Sequence, residues 1–332
     1  MTVLVTGATG FIGSHVAARL VEGGQAVRLL VRDAAKIARV PALIDTASLD
    51  VVVGDVTDRE SVERALDGCT AVVHAAAHVS LAEREAARAE AVNVGGTRLV
   101  VGGAAERELT TVYVSSVSVF GVGHARVTID TPLTERGGAY TRSKVAAEQF
   151  VREMQQRGAA VSVVYPSGVL GPEVPDLGPT YQGLIGWIRT PPKTSSGTSI
   201  VDVRDVAFAI EHALGAAPER WMLGGTFLTY AELRAALARV TGVHRPALPT
   251  PGAALRLAGR AGDLVKRVVP FDYPLTYESM AMATRACPYD SDATCRAFDL
   301  QWRPVDETLT DTIRDLAAAN HLNSRLAGAL AP

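Results

Sequence analysis

Short apolar runs alternate with longer amphipathic stretches through the first half of the chain. Runs at residues 3–6, 26–31, 49–53, 71–74, 111–115 and 161–165 are brief and rich in β-branched side chains, the signature of strands buried on both faces. Between them lie stretches with helical spacing at 12–22, 58–66, 81–107 and 139–156. Gly23 and Gly24 close the first helix, Asp58 sits where an N-cap belongs, and Pro166 stops the sixth strand. Strand and helix in strict alternation predict an α/β fold: a parallel, doubly wound sheet with helices on both faces. The regularity breaks after Gly171 and Pro172. Residues 173–200 have the Pro, Gly, Ser and Thr content of a loop. Helical patterns return at 206–214 and 230–241, then at 253–268 in a basic amphipathic stretch, and at 306–319. The tail after Asn320 reads as frayed. The pattern therefore divides into a sheet domain over 1–172 and a smaller, mixed cap over 173–332 that returns to the sheet in places.

Composition narrows the classes. Hydrophobic residues make up 48% and charged residues 20%, a globular balance, and the formal net charge of -2 offers no basic field for a nucleic acid. No apolar run is long enough for a membrane span, and the N-terminus reads as a strand rather than a leader. The three cysteines, Cys69, Cys287 and Cys295, suit a reducing compartment, so a cytoplasmic protein is expected. His74, His78 and His124 lack ligand spacing, and no metal is expected.

Three groups of residues carry the chemistry. The first strand runs straight into Gly7, Gly10 and Gly13. Gly7 allows a sharp turn, Gly10 clears room for a phosphate against the backbone, and Gly13 lets helix and strand pack closely. The helix that follows presents free N–H groups and a positive dipole end to a pyrophosphate, so 1–172 is expected to bind a dinucleotide. Next, Tyr140 and Lys144 are four apart on an expected helix and share a face. An ammonium beside a phenol should lower its pKa and ready it to pass a proton to or from an oxygen. Last, the fifth strand ends on Ser115 and Ser116, where a doubly wound sheet places its site. Ser116 lies far enough before Tyr140 for a loop to bring both hydroxyls to one substrate oxygen. The second strand ends Val31-Arg32-Asp33. An acid at Val31 would favour a ribose 2′-OH; instead a guanidinium follows, which suits a 2′-phosphate. NADP(H) is favoured over NAD(H), although the adjacent Asp33 could reach the ribose.

These features occur in an order that resembles the extended short-chain dehydrogenase/reductase family, near its dihydroflavonol-reductase-like and 3β-hydroxysteroid-dehydrogenase-like branches. The matching stretches are Thr6 to Gly13 (including Thr9, Phe11 and Ile12), Gly54-Asp55-Val56, His74 to Ala77, Asn93 to Thr97, Ser115-Ser116, Tyr140 with Lys144, Pro166 to Pro172, and Asp202 to Val206. The resemblance implies a Rossmann domain and a role for each matching residue. Tyr140 would be the proton donor, Lys144 would hold the nicotinamide ribose, and Ser116 would polarise the substrate carbonyl. Asp55 and Val56 would lie against adenine, and Ala75, Ala76 and Ala77 would pass behind the cofactor. Pro166, Gly168 and Val169 would line the nicotinamide, Ser115 would bind the cofactor, and Asn93 would be structural or serve a proton relay.

The expected function is an NADP(H)-dependent oxidoreductase acting on the carbonyl or alcohol of a hydrophobic small molecule. Phe120, Tyr165, Tyr181 and Trp187 hint at an apolar or aromatic pocket, or equally belong to the core. Two alternatives stay open. One is a nucleotide-sugar epimerase or dehydratase with tightly held NAD, whose diphosphate would need basic cap residues such as Lys193, Arg245, Arg256, Arg260, Lys266 and Arg267. The other is a non-catalytic, cofactor-sensing protein. The resemblance also suggests a homodimer through the helices at 81–107 and 139–156.

Overall fold

The computed structural model describes residues 1–39, 49–80, 82–265 and 276–332. The first part runs β1 (Thr2–Thr6), α1 (Phe11–Glu22), β2 (Ala26–Val31), β3 (Asp50–Val53), α2 (Arg59–Leu66) and β4 (Ala71–His74). Next come α3 (Ala86–Ala89), a π-helical stretch (Glu90–Gly96), α4 (Thr97–Glu106), β5 (Thr110–Val114), α5 (Ala139–Gln156) and β6 (Val161–Pro166). The remainder is β7 (Gly168–Leu170), α6 (Pro179–Arg189), β8 (Pro192–Lys193), β9 (Gly197–Asp202), α7 (Val203–Gly215), β10 (Arg220–Leu223), β11 (Thr226–Thr229) and α8 (Tyr230–Thr241). It ends with β12 (Leu248–Pro249), α9 (Gly252–Val265), α10 (Tyr277–Arg285), α11 (Asp292–Phe298), α12 (Val305–Ala318) and α13 (Ser324–Ala327).

The main sheet has seven strands in the order β10-β6-β5-β4-β1-β2-β3, and every pairing in it is parallel. The expected doubly wound sheet is therefore present. Its strands are buried on both faces because helices cover each: α1 and α7 share a core with Val5, Leu29 and Val73. On the other face α2 and α4 pack Leu66 and Val100 against Leu4 and Val72. β1 lies between β2 and β4, so the direction of winding reverses at its carboxyl end, where such sheets bind ligands. The cap contributes a small sheet in the order β11-β9-β7 and a separate core of Tyr181, Leu184, Leu233, Leu309 and Ile313.

Local chemistry explains several boundaries. Asp58 accepts from the Ser61 backbone N–H at 3.0 Å and starts α2, as expected. Thr229 and Glu232 form a reciprocal capping box on α8. Other expectations are corrected. Residues 173–200 are not simply loop: α6 begins with Pro179 at its start and buries Tyr181, Leu184, Ile185 and Ile188, and β9 follows. The tail is not frayed either, because Leu322, Leu326 and Ala327 are buried in the cap core. The helix expected over 81–107 is interrupted by the π-helical stretch, and its starting residue Leu81 lies outside the described residues. The basic helix expected to reach Val268 is described to Val265; Lys266 and Arg267 also lie outside the described residues.

Candidate active site

Two loops cross where the winding reverses. Gly7 has φ +74°, and a Cβ there would lie 2.6 Å from the backbone nitrogen of Ala76. A Cβ on Gly13 would fall 2.3 Å from the Gly7 carbonyl oxygen. Both positions therefore demand glycine for packing between β1, α1 and the Ala75-Ala76 step. Gly10 differs. It is exposed, it starts α1 without any side-chain cap, and a Cβ there would meet only the Gly7 oxygen, at 3.2 Å. The N-terminus of α1 thus keeps its free N–H groups beside an open cradle, which fits a pyrophosphate. Thr9 is half-buried in this turn. Phe11 sets its ring edge-on against His15 and Tyr181, each at 5.4 Å, tying the turn to α6 of the cap. Ile12 packs on the core below.

The catalytic candidates come together at the adjacent strand ends. Ser116 follows β5 and accepts from the Ser118 backbone N–H at 3.1 Å. Tyr140, in the first turn of α5, lies close enough for the Ser116 hydroxyl to act on its phenol. Burial pushes the Tyr140 phenol up, the nearby Ser116 hydroxyl pulls it back, and the Glu278 carboxylate pushes it up again. Lys144 is 2% exposed. Its Nζ donates to the Val114 carbonyl at 2.8 Å and lies 4.6 Å over the ring of Tyr113. Burial brings its pKa down to about 8, opposed by the charge of Glu148. The expectation that Lys144 lowers the Tyr140 pKa is not met in the protein alone: the ammonium is engaged by Val114 and Tyr113, and burial dominates at the phenol.

A polar network fixes this group from behind. Asn93 lies in the π-helical stretch, a feature common at functional sites. Its Oδ1 accepts from the His78 N–H at 2.7 Å, and its Nδ2 donates to Ser143 Oγ at 2.9 Å. Ser143 in turn donates to the Tyr140 carbonyl at 2.8 Å. Asn93 therefore ties the loop after β4 to the helix carrying Tyr140 and Lys144. His74 is fully buried between the hydroxyls of Thr6 (2.7 Å) and Thr97 (3.1 Å). Burial drives its pKa down to about 3, so it is neutral, and its ring stacks on Tyr113.

The other expected cofactor residues are spread along the same edge. Ser115 Oγ is buried with no partner among the described residues, a group free to meet a ligand. Ala75 and Ala76 are half-buried and Ala77 is exposed. Asp55 turns its Oδ1 to the N–H and hydroxyl of Thr57, each at 2.9 Å. Val56 is 9% exposed and packs against Gly96, so its side chain serves the core. Pro166 is buried; Gly168 is held by the Ser199 carbonyl, which a Cβ would meet at 2.7 Å; Val169 packs on the core. Arg32 is exposed just past β2, and its charge reaches His78. Asp33 Oδ1 is taken by the Ala35 N–H at 3.0 Å.

The four aromatic residues are packing residues, the second of the two roles open to them. Phe120 and Tyr165 are buried against each other at 5.0 Å, Tyr181 donates to the Gly171 carbonyl at 2.9 Å, and Trp187 packs on Tyr230. Arg256 donates to Thr284 at 2.8 Å and Arg260 lies 5.0 Å over Tyr277, so both serve the packing of α9 on α10. Sequence reasoning missed two acids. Glu148 continues the spacing of Tyr140 and Lys144 by four residues, a signal that was available. Glu278 of α10 accepts from Thr141 Oγ1 at 2.6 Å across 137 residues, which no local pattern announces.

The chain was compared with known proteins. The model of the NAD dependent epimerase/dehydratase family matches residues 3–224. Sterol demethylase protein B of Methylococcus capsulatus is 28% identical over 314 residues, covering 90% of this chain and 93% of that one. The 3-beta-hydroxysteroid dehydrogenase of Mycolicibacterium neoaurum is 35% identical over 181 residues, covering 51% of this chain and 48% of the relative. Among solved structures, that of gox2253 superposes with a TM-score of 0.79 at 29% identity, covering 97% of this chain and 99% of the other.

Proposed function

We propose, for a chain that belongs to the NAD dependent epimerase/dehydratase family, the interconversion of a carbonyl and an alcohol on a hydrophobic small molecule with NADP(H). The observation that carries this reading is the grouping of Ser116 after β5 with Tyr140 in the first turn of α5 and the buried Lys144 one helical turn further on, its Nζ on the Val114 carbonyl. A bound reduced nicotinamide supplies the hydride. Ser116 and Tyr140 hold the substrate oxygen between two hydroxyls. As negative charge grows on that oxygen, Tyr140 gives up its proton, and the high pKa of its phenol keeps that proton available at neutral pH. In the oxidative direction the same oxygen atom takes the proton back. Lys144 adds a positive charge beside the growing phenolate and a donor for a ribose hydroxyl. The α1 N-terminus at Gly10 and the orphaned Ser115 hydroxyl fit the cofactor's phosphates and nicotinamide end.

The choice of NADP(H) rests on Arg32. It is exposed at the end of β2, and one oxygen of its neighbour Asp33 already accepts a backbone N–H, which favours the cation as the group that meets the ribose. The hydrophobic substrate class rests on relatives described as acting on a sterol and a hydroxysteroid. The test mixes purified protein with NADPH or NADH and aromatic aldehydes, flavanone-type ketones or a 3-ketosteroid, and follows nicotinamide absorbance. NADPH oxidation with at least one carbonyl is expected, and Arg32→Ala should weaken NADPH binding about tenfold while sparing NADH. No turnover, together with copurifying NAD, would overturn the reading in favour of an epimerase or dehydratase.

A further inference from the structure

We propose that Glu148 is a positioning residue for this reaction, the buried countercharge that keeps Lys144 an ammonium beside the reacting hydroxyls. The proposal rests on the reading above that Lys144 serves the reaction. Tyr140, Lys144 and Glu148 are four apart along α5 and so share one face of it. Lys144 is 2% exposed and Glu148 0%, so water screens neither. A buried ammonium with only a carbonyl and a ring for company should shed its proton readily. The acid on the same buried face, one helical turn further on, is Glu148, and its charge opposes that loss.

Glu148 is also not fully used by its own neighbours. Its Oε1 accepts from Arg152 Nε at 3.0 Å and from the Tyr165 hydroxyl at 2.5 Å. Its Oε2 is buried with no partner among the described residues. A bare buried carboxylate oxygen is costly, and a positive charge on the same helix face offsets part of that cost. Here half of the carboxylate is left unquenched inside the helix–sheet interface. The ring of Tyr113 on β5 lies within reach of both charges: it faces Lys144 at 4.6 Å, and its hydroxyl feels Glu148. The remaining titratable groups facing this pair are His74 on β4, which is neutral, Tyr140 on α5, and Arg152 and Tyr165, already paired with Oε1.

The chain has four lysines, Lys36, Lys144, Lys193 and Lys266, which makes the charge state of Lys144 directly observable. Protein labelled with ¹³C-lysine is titrated by NMR without cofactor or substrate, Lys144→Met assigning the resonance. In Glu148→Gln, which keeps the shape and an acceptor for Tyr165, the Lys144 midpoint should fall by about one pH unit or more. The alkaline limb of kcat/KM should move the same way, whereas Glu148→Asp should restore much of both. If Glu148→Gln does not fold, the double variant with Arg152→Gln leaves no stranded guanidinium and gives the same reading. An unchanged Lys144 midpoint would overturn the proposal and leave Glu148 a structural anchor. Because the titration needs no turnover, absent activity in the wild type counts against the functional reading alone.

Discussion

Lys144 in the sheet domain and Asp202 in the cap are both 2% exposed, and their surroundings treat them in opposite ways. Asp202 ends β9 and is saturated: Arg204 donates to it from its backbone N–H at 2.9 Å, from Nε at 2.8 Å and from Nη2 at 2.8 Å, and Thr308 of α12 adds its hydroxyl at 2.8 Å. Burial alone would raise its pKa, but these partners win and hold the carboxyl below its usual range. Lys144 has one carbonyl and a ring face, and its pKa falls to about 8. The cap thus encloses a charge in order to fasten β9, α7 and α12 together. The sheet domain encloses one that is ready to respond. Incompletely satisfied buried charges are expensive, and they concentrate where chemistry needs them.

The largest expected effect breaks the responsive side. Lys144→Met should cut turnover by about a thousandfold. It should not lower the melting temperature, because a costly buried charge is replaced by an apolar chain while Glu148 keeps its ion pair with Arg152. The pH dependence has a definite sign. The folded value near 8 lies below the 10.5 of a free lysine, so Lys144 weighs on stability fully below pH 8 and progressively less up to pH 10.5. Calorimetry of the two proteins across that range should show their melting temperatures converging as pH rises. Next in size is the fastening side. Asp202→Ala strands Arg204 and Thr308 and should cost about 3–5 kcal/mol in urea unfolding. It should leave the pH profile of whatever activity survives in place, and a shifted profile would erase the distinction between the two charges.

A smaller effect sharpens the contrast with a third enclosed group. His74 is neutral, with a folded value near 3 against 6.5 when free. Between those values the unfolded chain binds the extra proton, so stability is present above pH 6.5 and declines as pH falls. Going from pH 6.5 to 5 should cost about 2 kcal/mol. Urea titrations at both pH values should show that much less dependence in His74→Gln.

The two regions also differ in how openly the sequence announces them. Gly7, Gly10 and Gly13, the Tyr140–Lys144 spacing and the seryl end of β5 are local patterns, and each landed at one edge of the sheet. Their chemistry was less legible. The lowered phenol expected of Tyr140 left out the burial of its ring, which the four-residue spacing does not announce and which pushes the phenol up. In α6 the spacing of Tyr181, Leu184, Ile185 and Ile188 is helical, yet nearby Pro and Gly disguised it; Pro179 in fact opens the helix. The tail after Asn320 gave no warning of order, because Leu322 and Leu326 are buried by α12 and the cap core rather than by their own sequence neighbours. Glu278, brought to Thr141 by the packing of α10, was beyond any local pattern.

The central claim is that Tyr140 passes the proton when a carbonyl and an alcohol are interconverted. The direct measurement is single-turnover reduction of a hydrophobic ketone by 4-deuterated NADPH, in the wild type and in Tyr140→Phe, with cofactor binding determined in parallel. The expected result is deuterium at the carbonyl carbon with the wild type, a loss of rate of about a hundredfold or more in Tyr140→Phe, and NADPH affinity unchanged between them. Deuterium transfer by Tyr140→Phe at the wild-type rate would contradict it.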